Sequence, residues 1–79
     1  MNNYIAMFHT HYGAIKFYNA CIKHGLTAKQ MPAPRELSAS CGTCVAFEAP
    51  TADIIINAED ADACYLCDAD GYTKLMQVD

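Results

Sequence analysis

A β-strand followed by an α-helix is predicted by YIAMFHTHYGAIKFYNACIKHG, residues 4–25. Residues 4–8 are a short apolar run with aromatic content, which is typical of a buried strand. From residue 11 onward the apolar residues recur at the spacing of a helix with one apolar face. The residues on that face are Ala14, Phe17, Tyr18, Cys21 and Ile22. Cys21 is therefore expected in the core, where a free cysteine behaves as a small hydrophobic residue.

Both ends of the predicted helix carry capping residues. Thr10 is suited to the N-cap because its hydroxyl can accept a hydrogen bond from a backbone N–H of the first turn. Gly25 is suited to the C-terminal end because glycine adopts the left-handed conformation that commonly ends a helix. The helix is therefore expected to begin near residue 11 and to end just before Gly25.

The middle of the chain predicts two short elements on either side of a loop. Residues 27–31 form an extended segment that leads into the loop PAPRELSASCG, residues 32–42. This loop is expected to be semi-rigid, because Pro32 and Pro34 fix their φ angles and hold the residue between them extended. A strand is predicted over residues 43–48.

The remaining residues complete the predicted fold. Residues 52–58 predict a short helix, although their β-branched isoleucines equally allow a strand. Residues 63–68 and 72–78 read as strands, and the Asp-Gly between them predicts a C-terminal hairpin. The element order predicts an α+β fold, a ferredoxin-like βαββαβ sandwich whose antiparallel sheet has two helices on one face. The other face is expected to be partly open or to pair with a second copy, so a homodimer is one predicted assembly.

Composition predicts one small globular domain over residues 1–79, since 53% of the residues are hydrophobic and only 18% are charged. No apolar run approaches the ~18 residues that a bilayer span needs. The first ten residues also lack the basic segment and cleavage site of a secretory signal. The expected location is therefore the cytoplasm, with no membrane partner. The net charge of −4 opposes general nucleic-acid binding.

Charge is unevenly distributed along the chain. Residues 1–44 carry four basic residues and one acid, a net charge of +3, whereas residues 45–79 carry one lysine and eight acids, a net charge of −7. One interpretation is a solvated acidic tail. The other is that the basic half favours the thiolate form of one of its cysteines.

The five cysteines are the most informative residues, and four of them form the pairs CGTC, residues 41–44, and CYLC, residues 64–67. An odd number of cysteines without an export signal is more typical of a reduced cytosolic protein than of a disulfide framework.

Cys41 lies in the sequence context that best suits a reactive thiol. It follows Ser38 and Ser40 and precedes Gly42, and Arg35 lies six residues upstream. Positive charge and exposed backbone N–H groups lower the pKa of a thiol, and a glycine with positive φ can turn such groups towards the sulfur.

Cys44 follows three residues after Cys41. In a tight turn its thiol could resolve a persulfide or a sulfenate on Cys41. The alternative is that CGTC is only a turn that enters a strand, with Cys44 in the core.

A zinc site is the alternative use of these cysteines. Cys41, Cys44, Cys64 and Cys67 have the spacing C-x2-C-x19-C-x2-C, which matches a common zinc-binding pattern. The chain would then be a zinc-stabilised interaction module. Against this, residues three apart on a strand face opposite sides of the sheet, and CYLC contains no glycine for a metal-binding turn. The reactive-cysteine interpretation requires no cofactor.

His9 and His11 face the same side if the chain is extended, as two metal ligands or an acid–base pair would. They could equally cap the helix or hydrogen-bond to a loop. The sequence contains no glycine-rich phosphate loop, no GxSxG and no HExxH. The sequence therefore carries none of these enzyme signatures.

Two segments resemble the small selenium/sulfur (Se/S) carrier-like domains. They are YIAMFHT, residues 4–10, followed by a helix, and MPAPRELSASCG, residues 31–42. The resemblance covers residues 4–48 and implies a βαββαβ fold, with a role in carrying selenium or sulfur between donor and acceptor proteins. It also implies that Cys41 is the carrier residue. The supporting residues are Pro34, Arg35, Ser38, Ser40 and Gly42, to which we add His9. Cys44, Cys64 and Cys67 are not part of the family pattern.

Overall fold

The structure is a computed structural model that describes residues 2–34, 37, 42–51, 53–57 and 61–77. The described residues form one α-helix, one 3₁₀ helix and five strands. In chain order these are β1 (Asn2–Phe8), α1 (His11–Lys23), β2 (Thr27–Pro32), β3 (Thr43–Ala49), the 3₁₀ helix (Asp53–Asn57), β4 (Ala61–Asp68) and β5 (Gly71–Gln77). The predicted α+β class is confirmed.

The five strands form one antiparallel sheet in the order β2-β3-β1-β4-β5. Strands β1 and β2 both pair with β3 and therefore run parallel to each other, with α1 as the connection between them. This is a split β-α-β unit. The predicted C-terminal hairpin is confirmed by the pairing of β4 with β5.

The ends of α1 are capped as the sequence predicts. The Gly13 backbone N–H donates a hydrogen bond to the Thr10 hydroxyl at 2.9 Å. At the other end Gly25 has a φ of +77°, and the Leu26 N–H donates to the carbonyl of Cys21 at 2.9 Å. Together with the bond from the Gly25 N–H to the carbonyl of Ile22, this is a Schellman motif, which satisfies carbonyls that the helix end leaves free.

Apolar side chains pack on both faces of the sheet. On the helix face, which α1 covers, Phe17 packs against Phe8 and Phe47 with ring centroids 5.2 and 5.1 Å apart. The opposite face has its own cluster, which consists of Ile5, Met7, Leu37, Cys44 and Ala63. Because successive residues of a strand point to opposite faces, β1 contributes alternately to both clusters.

The predicted second α-helix is not found among the described residues. Asp53–Asn57 form a 3₁₀ helix, so the two-helix βαββαβ arrangement is not confirmed. Three consecutive β-branched isoleucines lose side-chain freedom in an α-helix, which disfavours a longer helical segment here. The segment nevertheless contributes to the core, because Ile55 is buried in the helix-face cluster.

The prediction that Ile22 faces the core is also wrong, since its side chain is 49% exposed. Ile22 follows Cys21 and is therefore displaced by about 100° around the helix axis. Cys21 is fully buried, as predicted, whereas the sheet covers only one side of α1 and leaves Ile22 outside that contact.

Among the residues that the structure describes, none belongs to a helix of sufficient length and hydrophobicity to cross a bilayer. The cytoplasmic location stays a prediction.

The N-cap of α1 can be tested by mutation. We expect Thr10→Ala to lower the free energy of unfolding by about 1 kcal/mol, because the Gly13 N–H loses its acceptor. Urea denaturation followed by circular dichroism measures this change. Thr10→Ser keeps a hydroxyl at the same position and should retain most of the stability. Equal stability of the alanine variant and the wild type would contradict the assigned cap.

Candidate functional site

The junction between β1 and α1 lies beside the start of β3. The Nδ1 atom of His11, the first residue of α1, is hydrogen-bonded to the Thr43 hydroxyl at 2.9 Å. Thr43 is the first residue of β3 and directly follows Gly42. This bond joins the helix start to the first residue after the proline-containing loop, which is close to the predicted alternative in which the histidine hydrogen-bonds to a loop.

The loop between β2 and β3 is closed at its base. The Ala33 N–H donates a hydrogen bond to the carbonyl of Gly42 at 3.0 Å, and Gly42 has a φ of +72°. This left-handed conformation is the one that glycine was predicted to supply there. Inside the loop, the Leu37 N–H donates to the carbonyl of Pro34 at 3.0 Å. The Leu37 side chain is buried in the cluster on the opposite face of the sheet, which anchors the loop against that face.

Several predicted site residues lie outside the described residues. They are Arg35, Ser38, Ser40 and Cys41. Of the predicted supporting residues in the loop, Pro34 and Gly42 are described, and both take part in the backbone bonds of the loop. The role of Cys41 therefore stays a prediction.

Cys44 is fully buried in the same cluster as Leu37. Its thiol donates a weak hydrogen bond to the carbonyl of Pro32, with a sulfur–oxygen distance of 3.8 Å. The register pairs Cys44 with Met7 on β1 and with Met31 on β2. The thiol is thus enclosed between the sheet and the loop and has no access to solvent.

The other described cysteines are unsuited to act as thiolates at neutral pH. Burial raises the pKa of Cys21 to about 11. Burial, and then the charge of Cys67, raises the pKa of Cys64 to about 11. Cys67 is partly exposed, and its pKa is also raised, first by burial and then by the negative charge of Asp68. These thiols remain protonated under physiological conditions.

The described cysteines do not fit a tetrahedral zinc site. Cys64 belongs to the cluster on the helix face, whereas Cys44 and Cys67 pack on the opposite face. The sheet itself therefore separates these sulfurs, as strand alternation predicted for the CYLC pair. Within the described part of the chain, no group of three or more histidine, cysteine, aspartate or glutamate side chains could hold a metal ion.

His9 and His11 have different partners and do not form one site. The Nδ1 of His9 lies 3.7 Å from a carboxylate oxygen of Asp62. Asp62 is the extra residue of a β-bulge, because the register shifts between Met7 and Phe8 where β1 pairs with β4. Sequence reasoning missed both Asp62 and Thr43. The CGTC motif contains Thr43 and could have indicated it, whereas no local sequence signal marks the bulge.

The raised thiol pKa values predict a pH dependence of stability. An unfolded thiol ionises near the usual value of 9.0, whereas Cys21 and Cys64 stay protonated in the folded protein up to about 11. The stability that these protonated thiols contribute to the folded state is therefore fully present below pH 9. As the pH rises from 9 to 11, the free energy of unfolding falls by roughly 2–3 kcal/mol per thiol at most.

Urea denaturation at intervals between pH 8 and 11 measures this loss. Cys64→Ala should be less stable throughout but should show a flatter profile than the wild type. If stability fell equally steeply with pH in both proteins, the loss could not be assigned to Cys64, because the titrations of tyrosine and lysine affect the two proteins equally.

The family comparison covers most of the chain. A family model described as "Putative Se/S carrier protein-like" matches residues 3–61, a span that includes Cys21, Cys41 and Cys44 and ends before Cys64. No curated protein and no solved structure matches the chain significantly. The resemblance that the sequence motifs indicated is thereby confirmed, and the chain belongs to the Se/S carrier protein-like family.

Proposed function

We propose that the protein carries sulfur or selenium on the thiol of Cys41 and transfers it between a donor protein and an acceptor protein. The protein then acts as a carrier and not as a turnover enzyme. It needs no cofactor for this role, since the cargo is held by a covalent bond to a cysteine.

One observation carries this proposal: none of the described cysteines offers an accessible, readily ionised thiol. Cys21, Cys44 and Cys64 are fully buried, and the pKa values of Cys21, Cys64 and Cys67 are raised. A carrier thiol must be accessible and ionised, because the thiolate is the nucleophile. Cys41 is the remaining cysteine, and it belongs to the loop motif that the family model covers.

Loading follows the chemistry of thiol–disulfide exchange. The Cys41 thiolate attacks the outer sulfur of a donor persulfide, R–S–SH. A bond forms between the Cys41 sulfur and that outer sulfur, the bond to the donor cysteine breaks, and the donor leaves as a thiolate. In delivery, an acceptor thiolate attacks the same outer atom and Cys41 leaves. For selenium, the outer atom is selenium and the steps are otherwise the same.

The loop supplies the surroundings that this reaction needs. Arg35 would stabilise the thiolate through its positive charge, and Ser38 and Ser40 would donate hydrogen bonds to it. Pro34 and Gly42 support the loop backbone through the bonds described above. His9 would serve as a further proton donor. The net charge of +3 over residues 1–44 favours the same ionised state.

Cys44 has a proposed role in release. Its thiolate would attack the Cys41 sulfur of the loaded protein, which forms a Cys41–Cys44 disulfide and expels the cargo as HS⁻ or HSe⁻. A cellular dithiol reductant would then restore both thiols. Because the Cys44 thiol is enclosed beneath Leu37, this route requires the loop to lift from the sheet before release can occur.

Loading can be tested with a small persulfide such as glutathione persulfide. Intact-protein mass spectrometry should show wild-type protein gaining the mass of one sulfur atom, and alkylation with peptide mapping should locate it on Cys41. Cys41→Ser should reduce loading at least tenfold. Cys67→Ser is the matched control, because Cys67 is the one thiol with partial exposure among the described cysteines. Loading of Cys41→Ser at the wild-type level would reject the proposal.

The release role of Cys44 needs a separate measurement. Loaded Cys44→Ala should still pass its cargo to an added thiol acceptor, but it should release sulfide without an acceptor at least several-fold more slowly than the wild type. A sulfide-sensitive electrode records the release. Alanine is suited to a fully buried position, and thermal melting identifies any loss of folding. Equal spontaneous release from both proteins would leave Cys44 with a packing role only.

A further inference from the structure

The outer side of α1 exposes large apolar side chains. Tyr12 is 69% exposed, Ile15 is 45% exposed and Ile22 is 49% exposed. With Asn19 they follow one another at spacings of three, four and three residues, which places all four along one side of the helix. We call these four residues the α1 seam. Three apolar side chains along one exposed side of a helix that already packs against its own sheet have the spacing of anchors that contact a second helix.

The α1 seam has a basic edge. Lys16 and Lys23 each follow a seam isoleucine, and α1 contains no aspartate or glutamate. The Lys16 ammonium lies over the Tyr12 ring, 5.8 Å from its centroid, so this charge is next to the first residue of the seam. Along the sequence, eight of the nine acidic residues lie in the second half of the chain, after α1.

We propose that the α1 seam is the docking surface for a partner protein that presents an apolar helix flanked by carboxylates. Charge complementarity supports an acidic partner, since opposite charges on the edges of two packed helices select the partner and its orientation. The apolar row would supply the buried centre of the contact, and Tyr12 is the kind of side chain that most often dominates such interfaces.

A second copy of the chain is a poorer occupant of this surface. In a symmetric pair the same patch meets itself, so α1 against α1 would bring the lysines of both copies together without a carboxylate on either helix. Like charges at the edges of packed helices disfavour the pair. The chemistry of the seam therefore points to a different protein.

The α1 seam begins next to the candidate site. Its first residue, Tyr12, adjoins His11, and His11 is bonded to Thr43 directly after Gly42. A helix docked on the seam would thus reach the base of the cysteine-containing loop. The inference concerns binding alone and does not depend on sulfur transfer, so it stands or falls independently of the proposed function.

Nuclear magnetic resonance titration tests this surface. The probe is a synthetic three-heptad peptide with leucine at its apolar positions and glutamate beside them, and the companion peptide has lysine in place of glutamate. The glutamate peptide should shift the backbone amide signals of α1, whereas the lysine peptide should bind at least tenfold more weakly. Ile15→Glu should weaken binding of the glutamate peptide at least tenfold, and Lys16→Glu several-fold.

Leu75→Glu is the matched control, because Leu75 is also 45% exposed but lies on β5. It should bind the glutamate peptide as the wild type does. Equal binding of both peptides, signal shifts outside α1, or unchanged binding by Ile15→Glu would overturn the proposal. Sedimentation velocity adds one further outcome: dimers that Ile15→Glu dissolves would identify a second copy as the occupant and would likewise overturn it.

Discussion

The other features of the structure depend on strand β1, which is paired along both edges and covered on both faces. It pairs with β3 and β4 and contributes alternate side chains to the apolar clusters above and below the sheet. The buried part of a strand in this position must be apolar, which explains the run over residues 4–8. Its removal would separate the two halves of the sheet and both clusters at once.

This central position also determines the chemistry of the cysteines. Cys44 on β3 and Cys64 on β4 lie on either side of β1, and their side chains point to opposite faces of the sheet. Each thiol is buried in the apolar cluster of its own face, so the sheet lies between them. Burial withholds water from the thiolate form, which keeps the Cys64 thiol protonated. The same geometry that buries these thiols opposes a shared zinc ion. The reactive role is therefore the one proposed for Cys41 in the loop between β2 and β3.

The loop and the helix meet at one end of the sheet, which gives the candidate site its setting. The bonds of Ala33 with Gly42 and of His11 with Thr43 hold the loop base beside the start of α1. The proposed cargo transfer would require contact with other proteins, and the exposed basic side of α1 begins at this same end. Chemistry and recognition would then occupy neighbouring parts of a small domain, with the sheet as the rigid support for both.

Local sequence signals determined the elements whose causes are local. The capping residues Thr10 and Gly25 specified the limits of α1, and the Asp-Gly turn specified the C-terminal hairpin, because each acts through bonds within a few residues. The loop motif up to Gly42 indicated the family. Strand alternation was enough to separate Cys64 from Cys67.

Tertiary structure decided what depends on residues distant in sequence. The exposure of Ile22 depends on how much of α1 the sheet covers, and the bulge at Asp62 depends on the register between β1 and β4. The bond between His11 and Thr43 likewise arises from the way in which separate elements pack together. The periodicity of one segment does not predict such contacts, because each contact forms between two segments that are distant in sequence.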